Sequence, residues 1–272
     1  MNLSLTSWSL PSCTLQEAAD ISKALGINAL DVGLFYRSAL AKPLILSDPQ
    51  AAAAQVIGLG VDVPNYYHLF GEGMDDRNLA LPGTLDQNLK DLRQVLSFTN
   101  TAQIKTVFIL PGVINPGQSR SEAFAVSQES LKAMVDLASG YNVTLCIEPH
   151  VHSFAESPAI AGDLVDATGI KLALDYSHFV CLGYRQDEID VLAPLAAHVH
   201  LRQAKMGALQ SKFAHGTLNF PAMFATLRDA AYTGALSIEP VHQDYMNTLF
   251  EDVLTEIIAL RDCYYTWKGT QS

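Results

Sequence analysis

The chain has 272 residues, 49% of them hydrophobic, which is enough to bury a substantial core as one domain. Its formal net charge of −11 and pI near 5.0 argue against a phosphate-tracking surface, because sequence-independent nucleic-acid affinity comes mainly from Lys and Arg. A small-molecule partner is expected, with no nucleic acid and no membrane, since no stretch is long and apolar enough to span a bilayer.

In chain order, short apolar runs without strong alternation fall at 3–8, 28–33, 60–67, 104–110, 143–148, 171–175, 198–203 and 235–240. Continuous apolar character suits strands buried on both faces, the parallel-sheet situation. Helix starts lie between them. Thr14-Leu15-Gln16-Glu17 is a capping-box pattern, followed by Ala18, Ile21 and Leu25 at helical spacing and a stop at Gly26. Pro64 interrupts the third run, where a proline removes a ladder donor. Thr84-Leu85-Asp86-Gln87 repeats the capping pattern before Leu85, Leu89, Leu92 and Leu96, which share one helical face. The stretch 111–121 is rich in Gly, Pro and Ser and reads as a surface loop, with a mobile flap as the alternative. Ser157-Pro158 is a third helix start, a capping Ser followed by Pro at the first helical position.

Eight runs, most of them followed by a helix, predict an α/β chain: a (β/α)₈ TIM barrel forming a single domain over 1–272. A doubly wound open sheet is the alternative. The start lacks a basic segment followed by a long apolar run, so no secretory signal is expected. The four cysteines (Cys13, Cys146, Cys181, Cys263) are scattered without paired or metal-type spacing, which fits a reducing, cytoplasmic setting. Tyr264, Tyr265 and Trp267 read as packing of the last helix on the barrel; a subunit contact in a homo-oligomer is the other reading.

Four metal-type side chains stand at the ends of four consecutive runs: Glu148, Asp175, His200 and Glu239, spaced by 27, 25 and 39 residues (175−148, 200−175, 239−200). If those runs are neighbouring parallel strands, all four meet at one rim. Carboxylates about 4–5 Å apart at an effective dielectric near 20 repel by roughly 3–4 kcal/mol per pair, so three of them take up protons or hold a cation. Carboxylate and imidazole ligands suit Mn²⁺, Mg²⁺, Co²⁺ or Zn²⁺ without choosing among them. Any one carboxylate alone reads as a surface charge or a helix cap; the ordered set of four favours a divalent metal site.

From these residues the chain resembles the xylose isomerase-like TIM-barrel superfamily, sugar (phosphate) isomerase/epimerase branch. The resemblance rests on Ile147-Glu148-Pro149-His150, Leu174-Asp175-Tyr176-Ser177-His178, His198-Val199-His200-Leu201-Arg202, the stretch His215 to Phe220, and Gly234 to Glu239. It implies that Glu148, Asp175, His200 and Glu239 bind one divalent metal, that Glu148 and Glu239 flank the reacting carbon, and that His178 contacts substrate oxygens. Asn219 replaces an Asp common before the seventh helix; Asn caps helices as well. The implied chemistry is proton abstraction beside a carbonyl through an enediolate, giving an epimer or an aldose–ketose isomer of a sugar or sugar derivative.

Further candidates carry paired readings. Arg202 shares a strand face with His200 and is a substrate anchor or the ion-pair partner of a rim carboxylate. His198 is the alternative ligand to His200, which lies nearer the carboxyl end. His150 lines the pocket or is satisfied by nearby backbone. His68 is pocket wall, further ligand or part of an aromatic loop. Trp8 stacks on a sugar face or packs the core. Lys205 and Lys212 meet a substrate phosphate or are solvated; no glycine-rich anion cradle demands a phosphate. His152 and His242 read as loop residues. A dehydratase of sugars or inososes uses the same metal and bases. A catalytically silent sugar-binding barrel is the rival from another class. An abasic-site endonuclease needs more ligands, and the sequence has Phe108-Ile109-Leu110-Pro111 and Phe213-Ala214-His215 where that branch supplies a His and an Asp.

Overall fold

Eight parallel strands form the centre of the computed structural model, which describes residues 1–241 and 252–271. They are β1 (Asn2–Thr6), β2 (Leu30–Asp31), β3 (Asn65–Tyr67), β4 (Thr106–Ile109), β5 (Thr144–Ile147), β6 (Lys171–Asp175), β7 (Ala196–Leu201) and β8 (Ala235–Ile238). The hydrogen-bonded order is β2-β1-β8-β7-β6-β5-β4-β3. Bridges Ala29–Asp62 and Val32–Tyr66 join β2 to β3, and Tyr67 N–H donates to the Val32 carbonyl at 2.9 Å. The sheet therefore curls into a (β/α)₈ barrel and not an open doubly wound sheet.

The helices are α1 (Leu15–Ala24), α2 (Lys42–Ser47), α3 (Pro49–Ile57), α4 (Leu85–Thr101), α5 (Arg120–Ala138), α6 (Pro158–Thr168), α7 (Tyr176–Cys181), α8 (Gln186–Asp190), α9 (Phe220–Asp229) and α10 (Val253–Gly269). Thr14 and Glu17 form the expected capping box, and Ser157 caps α6 ahead of Pro158. Thr84 does not repeat the device. Its backbone is already helical and its hydroxyl donates to the Leu81 carbonyl at 2.9 Å, so the side chain is turned away from the free amides of α4. Pro64 lies just before β3, outside the ladder that it would interrupt, and its carbonyl accepts from Thr106 N–H at 3.1 Å. No helix among the described residues is long and apolar enough to cross a membrane.

Strand parity organises the core. Val107, Ile109, Leu145, Ile147, Leu172, Leu174, Val199, Leu201, Leu236 and Ile238 belong to one buried cluster with the helices. The alternate positions Phe108, Cys146 and Ala173 belong to a separate cluster with Trp8 and Tyr67 inside the barrel. Successive strand residues point to opposite faces, so Glu148, Asp175, His200 and Glu239, each an even step from an inward residue on its own strand, project inward. α10 packs by Tyr264, whose hydroxyl donates to the Met1 carbonyl at 2.7 Å, and by Trp267 against Phe224.

The 111–121 segment is fastened rather than flap-like. Asn78 donates to Asn115 at 3.0 Å, Gln118 donates to the Ala80 carbonyl at 2.8 Å, and Ser119 caps α5. Gly112 sits at φ 110°, and a Cβ there would lie 2.6 Å from the Ala80 amide nitrogen, so the close approach requires glycine.

Candidate active site

The four rim residues come from the carboxyl ends of consecutive strands. Asp175 ends β6, His200 is next to last in β7, and Glu148 and Glu239 follow β5 and β8 by one residue. Each offers a ligand-type atom, and these atoms all lie within 4.8 Å of one another. All four side chains are buried. His200 Nδ1 is 2.6 Å from Glu148 Oε1 and 3.5 Å from Glu239 Oε2. Glu239 Oε2 is buried without a hydrogen-bond partner. A buried carboxylate oxygen in that condition needs a cation or a proton, so the residues fit a divalent ion.

Electrostatics point the same way. Burial pushes the Glu148 carboxyl up to about 7, against the pull of His200. Burial alone would lower His200, but Glu239 and Glu148 raise it to about 10. Burial also opposes ionisation of Asp175, yet Arg202, His178 and His200 hold it down at about 2. Three carboxylates in so small a volume thus share a guanidinium and an imidazole proton, and a dication would displace that proton.

The surrounding side chains have defined hydrogen-bond roles. Arg202 Nη2 donates to Asp175 Oδ2 at 2.6 Å, Nε donates to Ser177 Oγ at 3.2 Å, and Nη2 is 3.6 Å from Glu239 Oε2. The ion-pair reading of Arg202 is therefore realised, at the edge of the cavity. His178 Nδ1 accepts from Val151 N–H at 3.2 Å, which puts the ring proton on Nε2, 3.6 Å from Asp175 Oδ2 and 3.4 Å from Arg202 Nη2; burial keeps the ring neutral. His150 has the other tautomer: Nδ1–H donates to the Val151 carbonyl at 2.7 Å, and Nε2 is a buried acceptor without a partner. Burial lowers His150 to about 4. Trp8 Nε1–H donates to Glu239 Oε1 at 2.7 Å. Trp8 lies in a short turn after β1, at Ser7–Ser9, rather than in the strand. Gly33 admits its ring, since a Cβ there would lie 2.9 Å from the indole.

Glu148, Glu239, His150, His178, Arg202 and Trp8 line one cavity of about 420 Å³, with Phe35, Tyr36, Tyr67, Met74, Leu110, Leu209 and Val241 on its other walls. His68 is not among them. It is fully buried behind Met74 and Leu110 beside a separate small void, 3.2 Å from the Tyr66 hydroxyl, and burial lowers it to about 3. Lys205 is exposed in a turn closed on Ala208 and does not line the cavity; Lys212 is exposed as well. His152 is exposed at φ 71°. His242 lies outside the described residues. Phe108 stacks on Tyr67 at 4.3 Å and Phe213 on Phe220 at 5.8 Å.

His198 lies one layer below His200. Its Nε2 is 2.7 Å from Asp31 Oδ2, and Ser4 Oγ donates to Asp31 Oδ1 at 2.6 Å. Burial opposes ionisation of Asp31, but His198 and Ser4 keep it below the usual carboxylate value. Asp31, His198 and His200 also form a compact group of ligand-type atoms. Asp31 is not singled out by the sequence; its signal is an acidic residue inside the apolar run 28–33.

A short-stranded parallel barrel with a buried carboxylate–imidazole centre at its carboxyl rim is the architecture of a (β/α)₈ enzyme. The xylose isomerase-like TIM barrel family matches residues 16–261, and the chain belongs to it. It is 24% identical over 246 residues to L-ribulose-5-phosphate 3-epimerase UlaE of Salmonella paratyphi C (strain RKS4594), covering 82% of this chain and 81% of that protein. Among solved structures it is similar to a D-tagatose 3-epimerase-like protein, with TM-score 0.74 and 16% identity over 100% of both chains. It is also similar to the IOLI protein with a bound zinc atom, with TM-score 0.74 and 14% identity over 98% of both chains.

Proposed function

We propose that the protein is a divalent-metal-dependent sugar epimerase that moves a proton on and off the carbon beside a ketose carbonyl. The observation that carries this reading is the cluster of Glu148, Asp175, His200 and Glu239, of which Glu148 and Glu239 line a sugar-sized cavity. The family, and relatives named as 3-epimerases, support it. Mn²⁺, Mg²⁺, Co²⁺ and Zn²⁺ all suit the donor set. When bound, the ion supplies Lewis-acid polarisation of the carbonyl and charge stabilisation.

Glu148 and Glu239 act as the acid/base pair. One takes the proton from the substrate carbon, and the other returns a proton to the opposite face, which inverts that carbon. In the metal-free site burial pushes the Glu148 carboxyl up to about 7, against the pull of His200. Trp8 fixes the orientation of Glu239 through its 2.7 Å hydrogen bond. His178 offers Nε2–H to the oxygen that gains charge, and His150 Nε2 accepts from a substrate hydroxyl. Arg202 holds Asp175 ionised and in place.

The test is incorporation of solvent deuterium into a panel of ketoses and aldoses by metal-loaded protein, with Glu148→Gln and Glu239→Gln as controls. Exchange at one carbon, with the epimer appearing and both variants silent, is the expected result. Loss of water with a new carbonyl would indicate a dehydratase instead. No exchange on any sugar with any of the four metals refutes the proposal and favours a silent sugar-binding barrel.

A further inference from the structure

We infer that the cavity takes an unphosphorylated, uncharged ketose whose terminal carbons rest against an aromatic wall. This rests on the reading above that the site acts on a sugar, and it narrows the substrate class. The polar groups of the cavity are concentrated at its floor, around Glu148 and Glu239. The far walls carry Phe35, Tyr36, Tyr67, Met74, Leu110 and Leu209. Phe35 and Tyr67 lie 5.1 Å apart, and Tyr67 is stacked on Phe108, so this side is a braced aromatic surface. Such faces bind the C–H edge of a sugar, and the hydroxyls of Tyr36 and Tyr67 bring no positive charge to meet a dianion. Tyr36 stands at φ 61°, a left-handed conformation disfavoured for a bulky side chain, which persists where its surroundings impose it.

A phosphate ester needs cationic or amide donors, and the cavity wall supplies one cation, already paired. Among the described residues lining the cavity, Arg202 is the one Lys or Arg, and it is held by Asp175 and Ser177. Its charge offsets the carboxylates beside it. Elsewhere at this end of the barrel, Lys42 at the start of α2 donates to the Gly71 carbonyl, Arg77 to Asp91 at 2.7 Å and Arg120 at the start of α5 to the Phe154 carbonyl, while Lys205 and Lys212, after β7, are exposed and do not line the cavity. Barrels of this kind commonly bind phosphate with the loops after strands seven and eight and a helix N-terminus. Here the first turn of α9 contains Pro221, which has no N–H, and Asn219 Oδ1 already accepts the Ala222 amide at 3.2 Å. The sequence of 242–251, after β8, contains neither Lys nor Arg. A dianion approaching a chain of net charge −11 is also repelled at long range. The relatives named for a 5-phosphate substrate are 24% identical to this chain, a distance at which the terminal subsite can differ while the floor is kept.

The experiment pairs free ketopentoses and ketohexoses with their terminal phosphate esters on the Mn²⁺-loaded protein. Deuterium exchange reads turnover, and titration calorimetry reads binding whether or not turnover follows. The free sugar is expected to exceed its ester at least about tenfold in both kcat/KM and affinity, the consequence of a dianion placed without a counter-charge. Met74→Arg puts a cation at the mouth and is expected to narrow the ratio roughly threefold, as an exposed pair does. An ester that equals or exceeds its parent sugar overturns the inference and leaves the epimerase reading standing. Exchange on neither member of any pair refutes the epimerase reading; calorimetry then decides the inference alone, by whether the free ketose or the ester binds more tightly.

Discussion

Replacing Arg202 by Met isolates the electrostatic design of the site. The guanidinium is 5% exposed and stands 2.6 Å from Asp175 and 3.6 Å from Glu239. At an effective dielectric near 20 those contacts correspond to roughly 6 and 5 kcal/mol of attraction before desolvation is counted. Desolvation of the guanidinium cancels part of this, and removing one partner of a buried pair typically costs about 3–5 kcal/mol because the other charge is stranded. Methionine keeps much of the stem volume, so the loss reports charge rather than a cavity. In EDTA the variant is expected to lose about 3–5 kcal/mol by urea denaturation, or roughly 5–9 °C in Tm for a chain of 272 residues. With saturating Mn²⁺ the loss should be smaller, because a dication compensates the same carboxylates. A loss below about 1 kcal/mol in EDTA, within the range of an exposed pair, would show that Arg202 does not neutralise the cluster.

Three other outcomes follow from the same geometry. Glu148 at about 7 and His200 at about 10 must both release protons to accept a cation, so about two protons are displaced below pH 7 and about one near pH 8, and the apparent Kd for Mn²⁺ should fall by up to about a hundredfold per pH unit below pH 7 and about tenfold per unit around pH 8; calorimetry in buffers of different ionisation heat checks this, and a pH-independent Kd would count against the cluster. Trp8→Phe removes the donor to Glu239 while keeping an aromatic wall, and steady-state kinetics should show kcat reduced about tenfold with KM little changed, the value of one buried hydrogen bond to a charged group; an unchanged kcat would mean that Glu239 is oriented by other contacts. His198→Leu strands Asp31 in the barrel interior and should cost about 3–5 kcal/mol, whereas Asp31→Leu combined with His198→Leu should cost less than the single change; additive losses in urea titrations would disprove the pairing.

The rim cluster was legible because it depends on two coarse rules, strand parity and the shared direction of parallel strands, which tolerate boundary errors of a residue or two. Glu148 and Glu239 stand just beyond their strands and still point inward. His200 was separable from His198 by the same logic, since the lower residue falls into the barrel interior and meets Asp31. Details that depend on backbone torsions were not legible. Thr84 has the composition of a cap, but its hydroxyl finds the Leu81 carbonyl first. Trp8 reads as the end of a strand, yet its chain turns at Ser7–Ser9 and brings the indole onto Glu239. Asp31 is not legible because it lies inside its apolar run, ahead of Val32 and Gly33, and its partner is 167 residues away (198−31). His68 and Lys205 show the limit of placing residues by loop position alone: one is buried behind the cavity wall, the other is turned to solvent.

The measurement closest to the central claim is anomalous diffraction from a crystal soaked in Mn²⁺. One strong peak is expected per chain, about 2.0–2.3 Å from oxygens of Glu148, Asp175 and Glu239 and from Nδ1 of His200, the range of common divalent-ion bonds. A peak seated between Asp31 and His198 instead, or no peak at the rim under conditions that support deuterium exchange, would contradict the account.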